Sequence, residues 1–145
     1  MNTETFEPAT VDQCEQVVND LPNLTASGFD TDYASARSSE NGLHVSADVI
    51  GTPCISITDN ELRRGIAVAR AFIRANCFRT KTIRRNYWLY GSKALAHTAT
   101  VWARDVVLRT ADAPEVMNGA FIAAAKLECY RIEPHGQNAF FNLLF

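Results

Sequence analysis

Apolar side chains recur as Val11, Cys14, Val18 and Leu21 between Thr10 and Pro22, three or four positions apart, the repeat of one helix face. Thr10 supplies an N-cap oxygen and Pro22 helps to end the helix. From Asn23 to Asn41 the chain turns to Ser, Thr, Asp and Ala with few large apolar groups, so the pattern predicts a loop or linker there. Alternation then takes over. Leu43, Val45, Ala47 and Val49 alternate with His44, Ser46, Asp48 and Ile50, CISIT follows, and Gly51, Thr52 and Pro53 provide a turn, which predicts a hairpin.

Helical spacing returns after a cap at Asp59 or Asn60. Leu62, Ile66, Ala69, Ile73 and Cys77 form one side of a helix to about Phe78, with Arg63, Arg70 and Arg74 on its wet side. FRTKTIRRNYWLYGS reads as a basic and aromatic connector, and Ser92 as the N-cap of a helix to about Arg109 with Leu95, Ala99, Trp102 and Val106 at core spacing. Asp112 with Glu115 three later resembles a capping box, and Pro114 suits the first turn of a third helix through Leu127. YRIEP and NAFFNLL around HGQ predict a closing hairpin. The fold class expected is α+β: an acidic N-terminal helix and linker over residues 1–40, then a domain over 41–145 in which a hairpin precedes three helices and a last hairpin.

Three helices and a hairpin follow one another in a winged helix, where the third helix reads the major groove. The side chains do not suit that use. Base readout needs Arg, Lys, Asn, Gln or Ser on an exposed helix face, whereas NGAFIAAA is mostly small and apolar, with Lys126 as its base and acids at Glu115 and Glu128. Ala120, Ala123, Ala124 and Ala125 instead let a neighbouring helix approach closely.

With 145 residues, 47% apolar and 21% charged, the chain has ordinary globular composition and one core is expected. No run reaches the 18 apolar residues of a membrane span, and MNTETFEPAT lacks the basic start and apolar stretch of a signal peptide, so a cytoplasmic protein is expected. Cys14, Cys54, Cys77 and Cys129 form no CxxC pair and have no histidine at ligand spacing. They read as buried free thiols in apolar surroundings, and neither metal nor cofactor is expected.

Charge is distributed unevenly. Residues 1–40 carry eight acids against Arg37, a net of −7, and residues 61–110 carry eleven bases against Glu61 and Asp105, a net of +9. Such polarity suits two oppositely charged partner surfaces or internal pairing. The candidate partner-binding residues are therefore Asp12, Glu15, Asp20, Asp30 and Asp32 on the acidic side and Arg63, Arg70, Arg74, Arg84 and Arg85 on the basic side. Tyr87, Trp88 and Tyr90 are the candidate anchors, since large amphipathic aromatics dominate interface energetics. Bases beside aromatic faces are also the pairing used by single-strand binders, so nucleic acid is a second partner class for this segment. For catalysis the sequence offers little. His97 reads as a core or cap histidine, His135 lies in a turn, His44 alternates out of a strand, and GxSxG, HExxH and a phosphate loop are missing. A non-enzyme is expected.

Tyr90, Gly91, Lys93 and His97, then Asn118 to Ala125, Tyr130 and Ile132, and Asn138, Ala139, Phe141 and Asn142 make up a pattern YG-x-K-x-x-x-H, NGAFIAAA, aromatic strand, NA-x-FN. This resembles the C-terminal region of small proteins carried by phages and other mobile elements, with loose agreement at Ser92 and Ala94 to Ala96 and Cys129 standing where glycine is expected. The resemblance brings no reaction and no catalytic residue. It implies a protein that binds a host complex, as inhibitors of bacterial defence systems of anti-CRISPR type do. The function expected is inhibition of a nucleic-acid-guided defence complex in the bacterial cytoplasm by protein–protein contact; the alternative is a DNA-binding regulator of winged-helix type.

Overall fold

A computed structural model describes residues 8–29, 60–107 and 115–145. The first expected hairpin, within residues 43–58, lies outside the described residues, as do Asp30 and Asp32. The described chain is α+β. Helix α1 (Val11–Asp20) leads into two short strands, β1 (Leu24–Thr25) and β2 (Gly28–Phe29). Helix α2 (Asn60–Asn76) is followed by β3 (Phe78–Arg84), a single turn α3 (Tyr87–Tyr90), α4 (Ser92–Trp102) with a π-helical turn at Ala103–Val107, α5 (Asn118–Leu127), β4 (Ile132–His135) and β5 (Asn138–Leu144). The strands form an antiparallel pair β1-β2 and a three-stranded antiparallel sheet in the order β3-β5-β4.

Thr10 caps α1 as expected, its Oγ1 accepting from Gln13 N while Gln13 Oε1 accepts from Thr10 N. The apolar stripe is shifted from the expected one. Cys14 and Val17 are fully buried and Val11 is exposed, because α1 lies on α5 and turns its middle toward that helix. The expected linker from Asn23 is structured at its start: Leu24 and Phe29 are buried, Leu24 pairing with Phe29 and Thr25 with Gly28. Two large apolar side chains among polar ones were enough to anchor it. Gly28 has φ +121°, and a Cβ there would stand 2.3 Å from Gln137 O, so only glycine fits.

Helix α2 buries Leu62, Ile66, Ala69 and Ile73 as expected, together with Gly65, Val68 and Phe72. The connector expected after it is instead a strand: β3 pairs with β5 through Phe78–Leu144, Arg79–Leu143 and Arg84–Phe141. Its polar, basic composition masked the strand because β3 is an edge, with one side open to water. Residues 80–83 of β3 stand opposite Asn142 alone, a larger irregularity than a two-against-one bulge, and the buried Asn142 side chain replaces the missing ladder. Its Nδ2 donates to Thr80 O at 3.1 Å and its Oδ1 accepts from Arg131 N at 2.8 Å.

Gly91, not Ser92, is the N-cap of α4, without a side-chain bond. Ser92 is fully buried and its Oγ accepts from Ala139 N at 3.0 Å, tying α4 to β5. The α-helix ends at Trp102 and passes into the π turn, which leaves Val106 exposed rather than in the core. Asp112 and Pro114 lie outside the described residues. Glu115 to Met117 are not helical, so α5 starts at Asn118 with Met117 as N-cap, three residues beyond the expected capping box.

Every residue of α5 from Gly119 to Ala125 is buried. The alanines let α2 and α4 close on it from two sides, while α1 and β2 cover the rest. Close approach is most acute at Gly119, where a Cβ would lie 1.8 Å from Thr25 O and whose N–H donates to Ala26 O at 2.9 Å. The helix in the place of a reading helix is thus the centre of the core. A chain of ring contacts, Phe141 to Phe121 to Phe72 to Phe145 to Tyr90, runs from that core to the surface at centroid separations of 5.5 to 6.4 Å.

Candidate functional site

The expected binding residues divide into those consumed by the fold and those left at the surface. Arg63 Nε donates to Ala9 O at 2.7 Å, and Ala9 N donates back to Arg63 O at 3.0 Å, so Arg63 clasps the start of α1 to α2. Arg70 Nε donates to Glu128 Oε2 at 2.6 Å, and Arg74 Nε to Glu128 Oε1 at 3.0 Å. Arg85 grips Glu133 with two bonds, Nε to Oε1 at 2.6 Å and Nη2 to Oε2 at 2.7 Å. Arg84 is half-buried, and its Nε is buried with no acceptor. Asp12, Glu15 and Asp20 are exposed on α1, Asp20 standing 3.9 Å from Lys126.

The Glu128 carboxylate closes the C-terminal end of α5. Arg79 Nη2 donates to the carbonyls of Glu128 and Cys129 at 2.9 and 3.3 Å, and its guanidinium lies 4.5 Å from the centre of the Tyr130 ring. Burial opposes ionisation of Glu128, but hydrogen bonds and charge from Arg74 and Arg70 outweigh it and hold the carboxyl below its usual range. Cys77, by contrast, is pushed up to about 12 by burial and stays a thiol. The described cysteines are free, and the expectation of burial holds fully for Cys14, in part for Cys77 and not for Cys129, which is exposed. Cys129 occupies the left-handed position, φ 67°, after α5, with Tyr130 N donating to Ala125 O and Cys129 N to Lys126 O, a Schellman motif.

Among the described residues two surfaces are open. One is the corner made by α3 and the end of the sheet. Asn86 Oδ1 accepts from Leu89 N and starts the turn, and Tyr90 lies on Phe145 at 5.5 Å, half-buried. That packing drives the next residues outward: Trp88 is 83% exposed and Leu89 54%, with Phe78 and Phe145 also exposed. The side chain of Tyr87 is outside the described set. Of the three expected aromatic anchors, then, Tyr90 serves the core and Trp88 faces water. Around this sheet stand seven bases, Arg70, Arg74, Arg79, Lys81, Arg84, Arg85 and Arg131, against Glu128 and Glu133. The pairs described above neutralise only part of that charge.

The other surface is a cleft of about 730 Å³ between α4 and the N-terminal end of α5. Lys93, His97, Thr100 and Arg104 come from one stripe of α4 and its π turn; Ala26, Ser27, Ala96, Glu115, Val116, Met117, Asn118 and Gln137 also line it. Thr100 Oγ1 accepts from Val116 N at 2.9 Å and holds the two walls together. Asn118 Nδ2 donates to Ser27 O at 3.0 Å and to Asn138 Oδ1 at 2.8 Å, which fixes the β1–β2 turn and the start of β5 at the floor. His97 is exposed on this cleft, not a core or capping residue. Spacings of four, three and four between Lys93, His97, Thr100 and Arg104 are a polar helical stripe, which is the signal in the sequence that marks this wall. Lys93, His97, Asn118 and Asn138, distant in the chain, are thus gathered at one place.

Among the described residues no group of three or more His, Cys, Asp or Glu side chains is placed to hold a metal ion, and no helix is long and apolar enough to cross a membrane. No protein-family model, curated protein or solved structure matches the chain.

Proposed function

We propose that this chain is a non-enzymatic binding protein of phage or mobile-element type that inhibits a bacterial nucleic-acid-guided defence complex, in the manner of an anti-CRISPR protein, by protein–protein contact. The observation that carries the contact surface is the exposure of Trp88 and Leu89 on α3, beside the basic edge of the sheet. Exposed large apolar groups rimmed by charge are the composition of an interface anchor. The surplus of bases around them suits an acidic protein surface, whereas Arg63 and Arg70 hold the fold together and drop out of the binding set. Asp12 and Glu15 on α1 offer a second, oppositely charged contact. Alanine at Trp88 together with charge reversal at Arg85 is expected to abolish inhibition in a plaque or interference assay while the thermal transition changes little. Full inhibition by that double variant contradicts the reading.

Duplex binding of winged-helix type is the second reading, favoured by the order of the last helices and the hairpin. Any such contact would use the basic edge of β3 and not α5, because α1 and the β1-β2 pair cover α5. It calls for a gel-shift complex whose affinity drops steeply with salt; no complex at low salt removes it.

A further inference from the structure

We propose that the cleft between α4 and α5 binds a small organic anion, its phosphate or carboxylate group held by Lys93 with His97 beside it. Four observations lead there. The cleft, about 730 Å³, is of the size that takes a metabolite and is lined by both apolar and polar groups. Two of its basic side chains are not committed among the described residues. Around the sheet, Arg70, Arg74, Arg79, Arg85 and Arg131 all donate to carboxylates or carbonyls of the chain, whereas among the described residues Lys93 and His97 enter no ion pair. Arg104, 11 positions from Lys93 and so about 16 Å further along the helix, places a third base toward the far end, paired with its neighbour Asp105 at 3.3 Å.

The walls are also built to keep a shape. Thr100 on Val116 N and Asn118 on Ser27 and Asn138 lock α4, the entry to α5, the β1–β2 turn and β5 relative to one another, so the cleft exists without a ligand. A preformed cleft with the Lys93 ammonium at its wall stabilises an anion by charge-assisted hydrogen bonds, and Ala26, Ala96, Val116 and Met117 offer an apolar surface to its body. Glu115, the acid of the lining, offers an acceptor to a hydroxyl or amino donor on the same molecule.

Amide NMR titration of the full chain at constant ionic strength tests this, with AMP and citrate as anionic probes and adenosine and sodium chloride as controls. AMP, citrate or both are expected to shift the amides around Lys93, His97 and Asn118 saturably; AMP alone assigns the site to phosphates, citrate alone to carboxylates. Lys93→Ala is expected to weaken the probe that binds about tenfold, and Arg85→Ala to leave it unchanged. Lys93 is exposed and, among the described residues, enters no ion pair, so its variant keeps the fold. Failure of both anions to shift those amides at several millimolar overturns the proposal. So does adenosine binding as well as AMP, an equal effect of chloride, or Lys93→Ala binding undiminished.

Discussion

Asn118 donates its side-chain amide to Asn138 Oδ1 at 2.8 Å, joining the first residue of α5 to the first residue of β5. The same amide nitrogen reaches Ser27 O, so one side chain secures the helix, the sheet and the N-terminal hairpin. Removing it leaves two acceptors with fewer donors in a half-buried place. Asn118→Ala is expected to lower stability by roughly 1–2 kcal/mol in urea denaturation. Gly119→Ala acts on the same junction by collision with Thr25 O and is expected to cost roughly 3 kcal/mol or more. Faster amide exchange confined first to residues 24–29 would show that the hairpin is what gives way.

Ser92 offers a cleaner case. Its Oγ is the acceptor for Ala139 N in a fully buried place, so Ser92→Ala orphans a backbone N–H where water does not reach. A loss of roughly 1–3 kcal/mol is expected, read as a lower denaturation midpoint with unchanged slope. Ser92→Thr keeps the oxygen but adds a methyl group to a closed site, and recovers stability only if the core yields.

Cys129 holds a left-handed conformation that costs an L-residue roughly 1–2 kcal/mol. Glycine relieves that cost and loses some of the gain to the entropy of the unfolded chain. Cys129→Gly is expected to raise stability by up to about 1 kcal/mol in thermal or chemical denaturation.

The Glu128 carboxyl, 14% exposed, titrates below its usual value of 4.5 in the folded chain because Arg74 and Arg70 overcome the effect of burial. With the folded value below the unfolded one, the contribution to stability is complete above the unfolded value and is lost as pH falls through the folded one. Stability is therefore expected to drop below about pH 4.5 more steeply in the wild type than in Glu128→Gln, and the two curves to converge in acid. Parallel curves from pH 6 to pH 3 would show that the clamp adds nothing.

Legibility in the sequence followed the strength of local patterns. Helix α2 and the closing hairpin were readable because long apolar periods and the HGQ turn leave few alternatives. Strand β3 was not, since an edge strand with Arg79 and Lys81 exposed has no alternating apolar face to announce it. The start of α5 was placed too early because Asp112, Pro114 and Glu115 read as a helix start in the sequence, whereas Glu115 to Met117 are not helical and packing of Gly119 against Thr25 accompanies the observed beginning at Asn118. The candidate site was legible in part. Trp88 could be named from its composition, but only the packing of Tyr90 on Phe145 separates the outward aromatic from the inward one. The cleft depends on contacts between Ser27, Thr100, Asn118 and Asn138 that span up to 91 positions, and no local pattern carries those.

The central claim, contact with a defence complex through α3, is tested most directly by pull-down from a bacterial lysate with tagged wild type and Trp88→Ala, each with and without nuclease. Retention of a multi-subunit complex by the wild type after nuclease treatment, and its loss with Trp88→Ala, is the expected result. Equal capture by both proteins, or capture that vanishes with nuclease, would contradict it.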